Sequence, residues 1–262
     1  MIKIPIIDTK NVKQTLSGED FKNYRSILPL DFKNKTGQGI KISLIGTGLP
    51  SHSDFKKLTP SFEVFDENSD TPDDIYGYSS ALAGIIASES NDGINGIAPN
   101  SDISYVKSFN NNGEGEYPAI VAGVIWSIAK SSNIIHIPLN KQENYIWLKE
   151  AAEKAYKMNI PVFVSLKNNK VLREEIPWII AITWKYSTKN KIKIIGKNKE
   201  IEVLIPKNKF YSTIGENYYI EANPFVLSSG IVLGVASLIL QNTKSNKNIV
   251  DSLCEKITSL EI

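Results

Sequence analysis

Short runs of consecutive apolar residues alternate along the chain with segments whose apolar residues recur every three or four positions. Residues 40–45, 103–107, 133–137, 160–166 and 178–183 are runs of the first kind. Ile42-Ser43-Leu44-Ile45 and Pro161-Val162-Phe163-Val164 are apolar on both faces, as strands are when helices cover both sides of a parallel sheet. Residues 79–88, 118–130 and 145–158 carry helical spacing, the first rich in small side chains and the last amphipathic. This alternation predicts an α/β fold. Residues 191–205 read as two short antiparallel strands turning at Gly196, Lys197 and Asn198. Residues 228–241 read as a buried helix, apolar nearly all round. Ile249, Leu253, Ile257 and Leu260 fit a last helix closing on the sheet.

The 262 residues, 42% hydrophobic and 22% charged, suit one large domain, and no repeat or linker tract divides them. The expected division is an arm over residues 1–24 and a body over 25–262. Lys and Arg number 30 against 28 Asp and Glu, and Arg25 and Arg173 are the only arginines. That balance argues against a nucleic-acid partner, which needs a concentrated basic face. The lone Cys254 closes no internal disulfide. The longest apolar run, residues 230–240, falls short of the roughly 20 residues that span a bilayer. No membrane contact is expected, and the N-terminus is too short in apolar residues for a secretory leader. The expectation is a cytoplasmic protein, with leaderless export left open.

Three segments carry a resemblance. The first runs from Thr36 through Ile45-Gly46-Thr47-Gly48 to His52 and Asp54-Phe55. The second runs from Gly77-Tyr78-Ser79-Ser80-Ala81-Leu82-Ala83-Gly84 to Gly93-Ile94-Asn95-Gly96-Ile97-Ala98-Pro99, and the third is Pro224-Phe225-Val226-Leu227-Ser228-Ser229-Gly230-Ile231-Val232-Leu233-Gly234. In order and separation they resemble the aspartate, histidine and serine segments of the subtilisin-like serine proteases. Val106-Lys107, Gly113-Glu114-Gly115 and the stretch after Gly123 are similar to the family's intervening segments. The resemblance covers about residues 36–241. It implies a three-layer sandwich around a mostly parallel sheet of about seven strands, with the site at the strands' carboxyl ends.

Serine-protease chemistry needs a hydroxyl nucleophile, an imidazole base and a carboxylate that orients it. At those positions this sequence has Val226, Tyr78 and Gly46. The resemblance therefore implies a chain that is not an enzyme, a pseudoprotease that binds a protein or peptide, or a related active protease, as scaffold, adaptor or regulator. Two alternatives stand beside it. One is a rewired hydrolase using Ser228 or Ser229 with His136, and with Asn168 at the family's oxyanion-hole position; the two serines also read as helix N-caps. The other is a structural subunit of a larger assembly, with self-association allowed. His52 matches a non-catalytic family histidine expected to pack and hydrogen-bond. The family's substrate-binding edges correspond to Asn111, Gly113 and Gly115 on one side and Leu139 on the other, and Pro138 lacks an N–H to offer a peptide. Family resemblance also implies calcium, held by Asp54 after the aspartate strand and by Ser90 and Asp92 in the loop after the histidine helix.

Overall fold

A computed structural model describes residues 1–5, 7–55, 62–63, 72–139, 146–166, 176–243 and 249–260. In chain order its strands are β1 (Ile2–Lys3), β2 (Val12–Lys13), β3 (Lys41–Gly46), β4 (Phe62–Glu63), β5 (Asp102–Lys107), β6 (Glu114–Gly115) and β7 (Ile134–Pro138). Then follow β8 (Val162–Ser165), β9 (Ile179–Tyr186), β10 (Lys193–Lys197), β11 (Glu200–Ile205), β12 (Tyr211–Ile214) and β13 (Tyr218–Glu221). The helices are α1 (Tyr78–Ala87), α2 (Tyr117–Ala129), α3 (Lys149–Lys157), α4 (Pro224–Leu240) and α5 (Ile249–Thr258).

Eight of the described strands make one sheet in the order β10-β11-β9-β8-β7-β3-β5-β4. Seven run parallel, and β10 closes one edge antiparallel to β11. Ile42, Leu44, Ile135, Ile137, Phe163 and Val164 are buried, as the two-sided apolar pattern requires. Helices α1 and α4 pack on each other and on one face, and α2 and α3 cover the other. The expected α/β sandwich is therefore present, with an antiparallel strand added to seven parallel ones. No described helix is long and apolar enough to cross a membrane.

The β10–β11 turn lies one residue later than expected, at Asn198 and Lys199, whose φ angles of 53° and 63° suit a tight hairpin. Lys199 holds that conformation with its ammonium, 2.6 Å from Asp251 Oδ1 and 3.0 Å from the Pro177 carbonyl. Helix α4 starts four residues before the expected point. Asn223 caps it by accepting the Val226 N–H at 2.9 Å, and Pro224 fits the first turn, where an N–H is not needed. Ser228 and Ser229 thus lie inside the helix and are not its caps.

Chain order steps from β3 to β5 and β4 on one side, then to β7, β8 and β9 on the other. The carboxyl ends of β3 and β7 consequently flank a switch point, where open α/β sheets form their crevices. Outside the main sheet, β1 pairs with β6, and β12, β13 and β2 form a three-stranded sheet whose β12 lies against α1.

Candidate functional site

Gly46 ends β3 beside the first turn of α1. A side chain there would collide with Ser79 Oγ, which instead accepts the Thr47 N–H at 2.9 Å. The first turn of α1 is held by a residue the sequence reading did not single out. Buried Asp74 accepts the Thr47 hydroxyl at 2.5 Å, the Gly77 N–H at 2.9 Å and the Ser80 N–H at 2.6 Å. Burial pushes its carboxyl upward, and these donors oppose that shift. An acidic residue just before a helix was the available signal.

Tyr78 is fully buried, its ring 6.3 Å from that of Phe225, and burial raises its phenol far above the usual range. Its hydroxyl makes no regular hydrogen bond among the described residues, and Ser229 opposes part of that shift. Val226 is fully buried in the first turn of α4. The structure thus brings Gly46 against Tyr78, and Tyr78 against the turn of α4 that holds Val226. Asn168 lies outside the described residues.

Beneath this cluster runs a buried polar chain. His136 Nε2 lies 2.8 Å from Ser165 Oγ, and Ser165 Oγ lies 2.6 Å from Ser229 Oγ. Ser229 Oγ is also 2.7 Å from the Phe225 carbonyl, which Ser228 Oγ reaches at 3.1 Å. The protons can run from His136 toward Phe225. They can also run the other way, Ser229 to Ser165 to an accepting Nε2, with Ser228 alone on the Phe225 carbonyl. Burial lowers the His136 pKa to about 3, so the imidazole is neutral at physiological pH. A second imidazole, His52, is buried, accepts the Asp54 N–H at Nδ1 (3.0 Å), and has that nitrogen 3.9 Å from Asp54 Oδ1. Its ring packs on Tyr219 at 5.0 Å.

These arrangements overturn the expectation that the chain is not an enzyme. That expectation rested on Gly46, Tyr78 and Val226 having replaced every reactive group. Yet the interior pairs His136 with Ser165, Ser165 with Ser229, and His52 with Asp54, so hydroxyl, imidazole and carboxylate are all present in hydrogen-bonded or adjacent pairs. Ser165 was missed because its meeting with His136 depends on strand register: Pro138 pairs with Ser165 across β7 and β8, and His136 sits two residues away on the same face.

Of the groove residues, Asn111, Gly113 and Gly115 lie along β6 and the turn before it, and Leu139 follows β7. Asn111 Oδ1 accepts the Lys107 ammonium at 3.1 Å, and Leu139 is buried with its N–H on the Ser165 carbonyl. The edge itself is covered by the chain's own start. Ile2 pairs with Gly115 and Lys3 with Glu114, antiparallel, and the Ile4 N–H donates to the Gly113 carbonyl at 3.0 Å. Ile2 and Ile4 are buried, and Lys3 Nζ meets Glu114 Oε1 at 3.1 Å on the surface.

Two of the three residues expected to hold calcium, Asp54 and Ser90, turn their side-chain oxygens toward proton donors. Asp54 Oδ2 accepts the Ile94 N–H at 2.8 Å and Oδ1 the Tyr219 hydroxyl at 3.2 Å. Ser90 Oγ accepts the Gly93 N–H, its carbonyl accepts Asn95 Nδ2, and the Ser88 carbonyl accepts the Gly96 N–H. Calcium needs six to eight oxygens turned toward one point, and here these oxygens face proton donors.

A model of the Subtilase family matches residues 37–202. Subtilisin DY of Bacillus licheniformis is 30% identical over 236 residues, 86% of this chain and 85% of that protein. The Intracellular serine protease of Paenibacillus polymyxa is 24% identical over 256 residues, 91% of this chain and 78% of that protein. Thermitase of Thermoactinomyces vulgaris is 25% identical over 232 residues, 85% and 83% respectively. With the parallel sheet and these matches in hand, the chain belongs to the subtilase family.

Proposed function

We propose that this protein engages an extended polypeptide along the Gly113–Gly115 edge, where its own residues 2–4 now lie. One observation carries the reading: a two-residue strand from the N-terminus is paired in register with β6. Strand addition of this kind takes its affinity from backbone hydrogen bonds and its selectivity from alternate side chains. The resident strand suggests the preferred chemistry, apolar at two alternate positions with a basic residue between them. The relatives named as serine proteases support a polypeptide ligand, and the one named as intracellular supports a location inside the cell.

A fluorescent peptide of the sequence of residues 1–6 should bind the full chain weakly and a variant lacking residues 1–5 at least about tenfold more tightly, because a resident competitor reduces apparent affinity by the fraction of open edge. Fluorescence anisotropy measures both constants. Equal affinity, or no binding to either protein, contradicts the reading.

The His136–Ser165–Ser229 distances support a second reading, hydrolysis of the bound chain by a buried serine with His136 as base. It requires the proton chain to run toward Nε2 and the site to open, since Ser165 and Ser229 are buried. A fluorophosphonate probe followed by peptide mapping should then label Ser165 or Ser229, and the label should disappear in His136→Gln. An unlabelled protein removes this reading and leaves the binding reading intact.

A further inference from the structure

We infer that the loop after α1 is locked by the ammonium of Lys22, a proton donor from the N-terminal segment, and not by a divalent cation. Of the expected metal set, both Asp54 oxygens and Ser90 Oγ are met by protons, and so are the neighbouring carbonyls of Ser88 and Ser90. The carbonyl of Asp92 completes the pattern, accepting Lys22 Nζ at 2.8 Å.

Room for an ion is missing as well. A methyl group added at Gly93 would collide with Asp54 Oδ2 and with the Tyr219 hydroxyl, so loop and carboxylate are already in direct contact. Lys22 is held in place by its own backbone: its carbonyl accepts the Asn95 N–H at 2.8 Å, and the Tyr24 N–H donates to the Asn95 carbonyl at 2.8 Å. The ammonium therefore extends a short parallel bridge between residues 22–24 and Asn95. A positive charge supplied by the chain thus holds the Asp92 carbonyl, and docking of the N-terminal segment becomes part of the loop's stability.

The test uses the full chain. Its melting temperature should be the same in millimolar calcium and in excess chelator, since a ligand stabilises only a state that binds it. In Lys22→Met, which keeps the length of the side chain and removes the charge, amide exchange at Gly93 and Ile94 should quicken about fivefold, as expected for loss of one solvent-exposed charged contact. Lys22→Arg should retain most of the protection. A calcium-dependent rise in the melting temperature of the unaltered chain overturns the inference. So does unchanged exchange at Gly93 and Ile94 in Lys22→Met, and the calcium measurement stands even if that variant folds poorly.

Discussion

Replacing Asp74 by Ala should destabilise the protein by about 3 kcal/mol, because each buried donor left unpaired costs about 1–3 kcal/mol and relief from burying a carboxylate returns only part of it. Three donors lose their acceptor at once: the Thr47 hydroxyl and the N–H groups of Gly77 and Ser80. For a chain of this size that corresponds to a fall in melting temperature of about 6 °C. The damage should be local as well as global. Thr47 follows the end of β3, and Gly77 and Ser80 begin α1, so the carboxylate ties the switch-point strand to the helix bearing Tyr78. Asp74→Asn should fall between, since one amide oxygen still accepts while the NH₂ faces a donor. Calorimetry decides it, and a loss below about 1 kcal/mol for Asp74→Ala would show that the three donors find other acceptors.

The second large effect is on pH. His136 has a pKa of about 3 in the folded protein, against about 6.5 in an unfolded chain. Below pH ~6.5 the unfolded state therefore binds a proton that the native state refuses. Stability should be complete with respect to this residue above that pH and fall by about 1.4 kcal/mol per pH unit as the pH drops toward the folded value. Asp74 acts in the opposite sense, because its raised carboxyl takes up a proton in the folded state first. The difference between wild type and His136→Gln isolates the imidazole. Urea denaturation from pH 7 to pH 4 should give a shallower curve for the variant, whose amide can still donate to Ser165. Parallel curves would mean that His136 is not buried as a neutral base.

Much of the framework was legible because it depends on local pattern. Strands such as β3 and β8 are apolar on both faces, and α1 is built of small residues that let α4 approach. What the sequence did not disclose depends on pairing between distant parts. The covering of Gly115 by Ile2 joins residues more than a hundred positions apart through a strand only two residues long, too short to leave a periodic signal. The His136–Ser165 contact likewise needs the register of β7 against β8, which neither strand specifies alone. For α4 the signal was present in Asn223-Pro224, but the apolar run beyond it drew the boundary inward. The reading of the site went astray for a related reason: residue types at three aligned positions say which groups are gone from those positions, and not which other hydroxyls and imidazoles the fold gathers nearby.

Hydrogen exchange at Ile4 tests the proposed strand exchange most directly, because its amide is bonded to the Gly113 carbonyl on the edge in question. With an excess of an extended peptide carrying apolar residues at alternate positions, exchange at Ile4 should accelerate while the amides of α1 and β3 keep their protection. Peptide binding that leaves Ile4 as slow as before would place the ligand elsewhere and contradict the account.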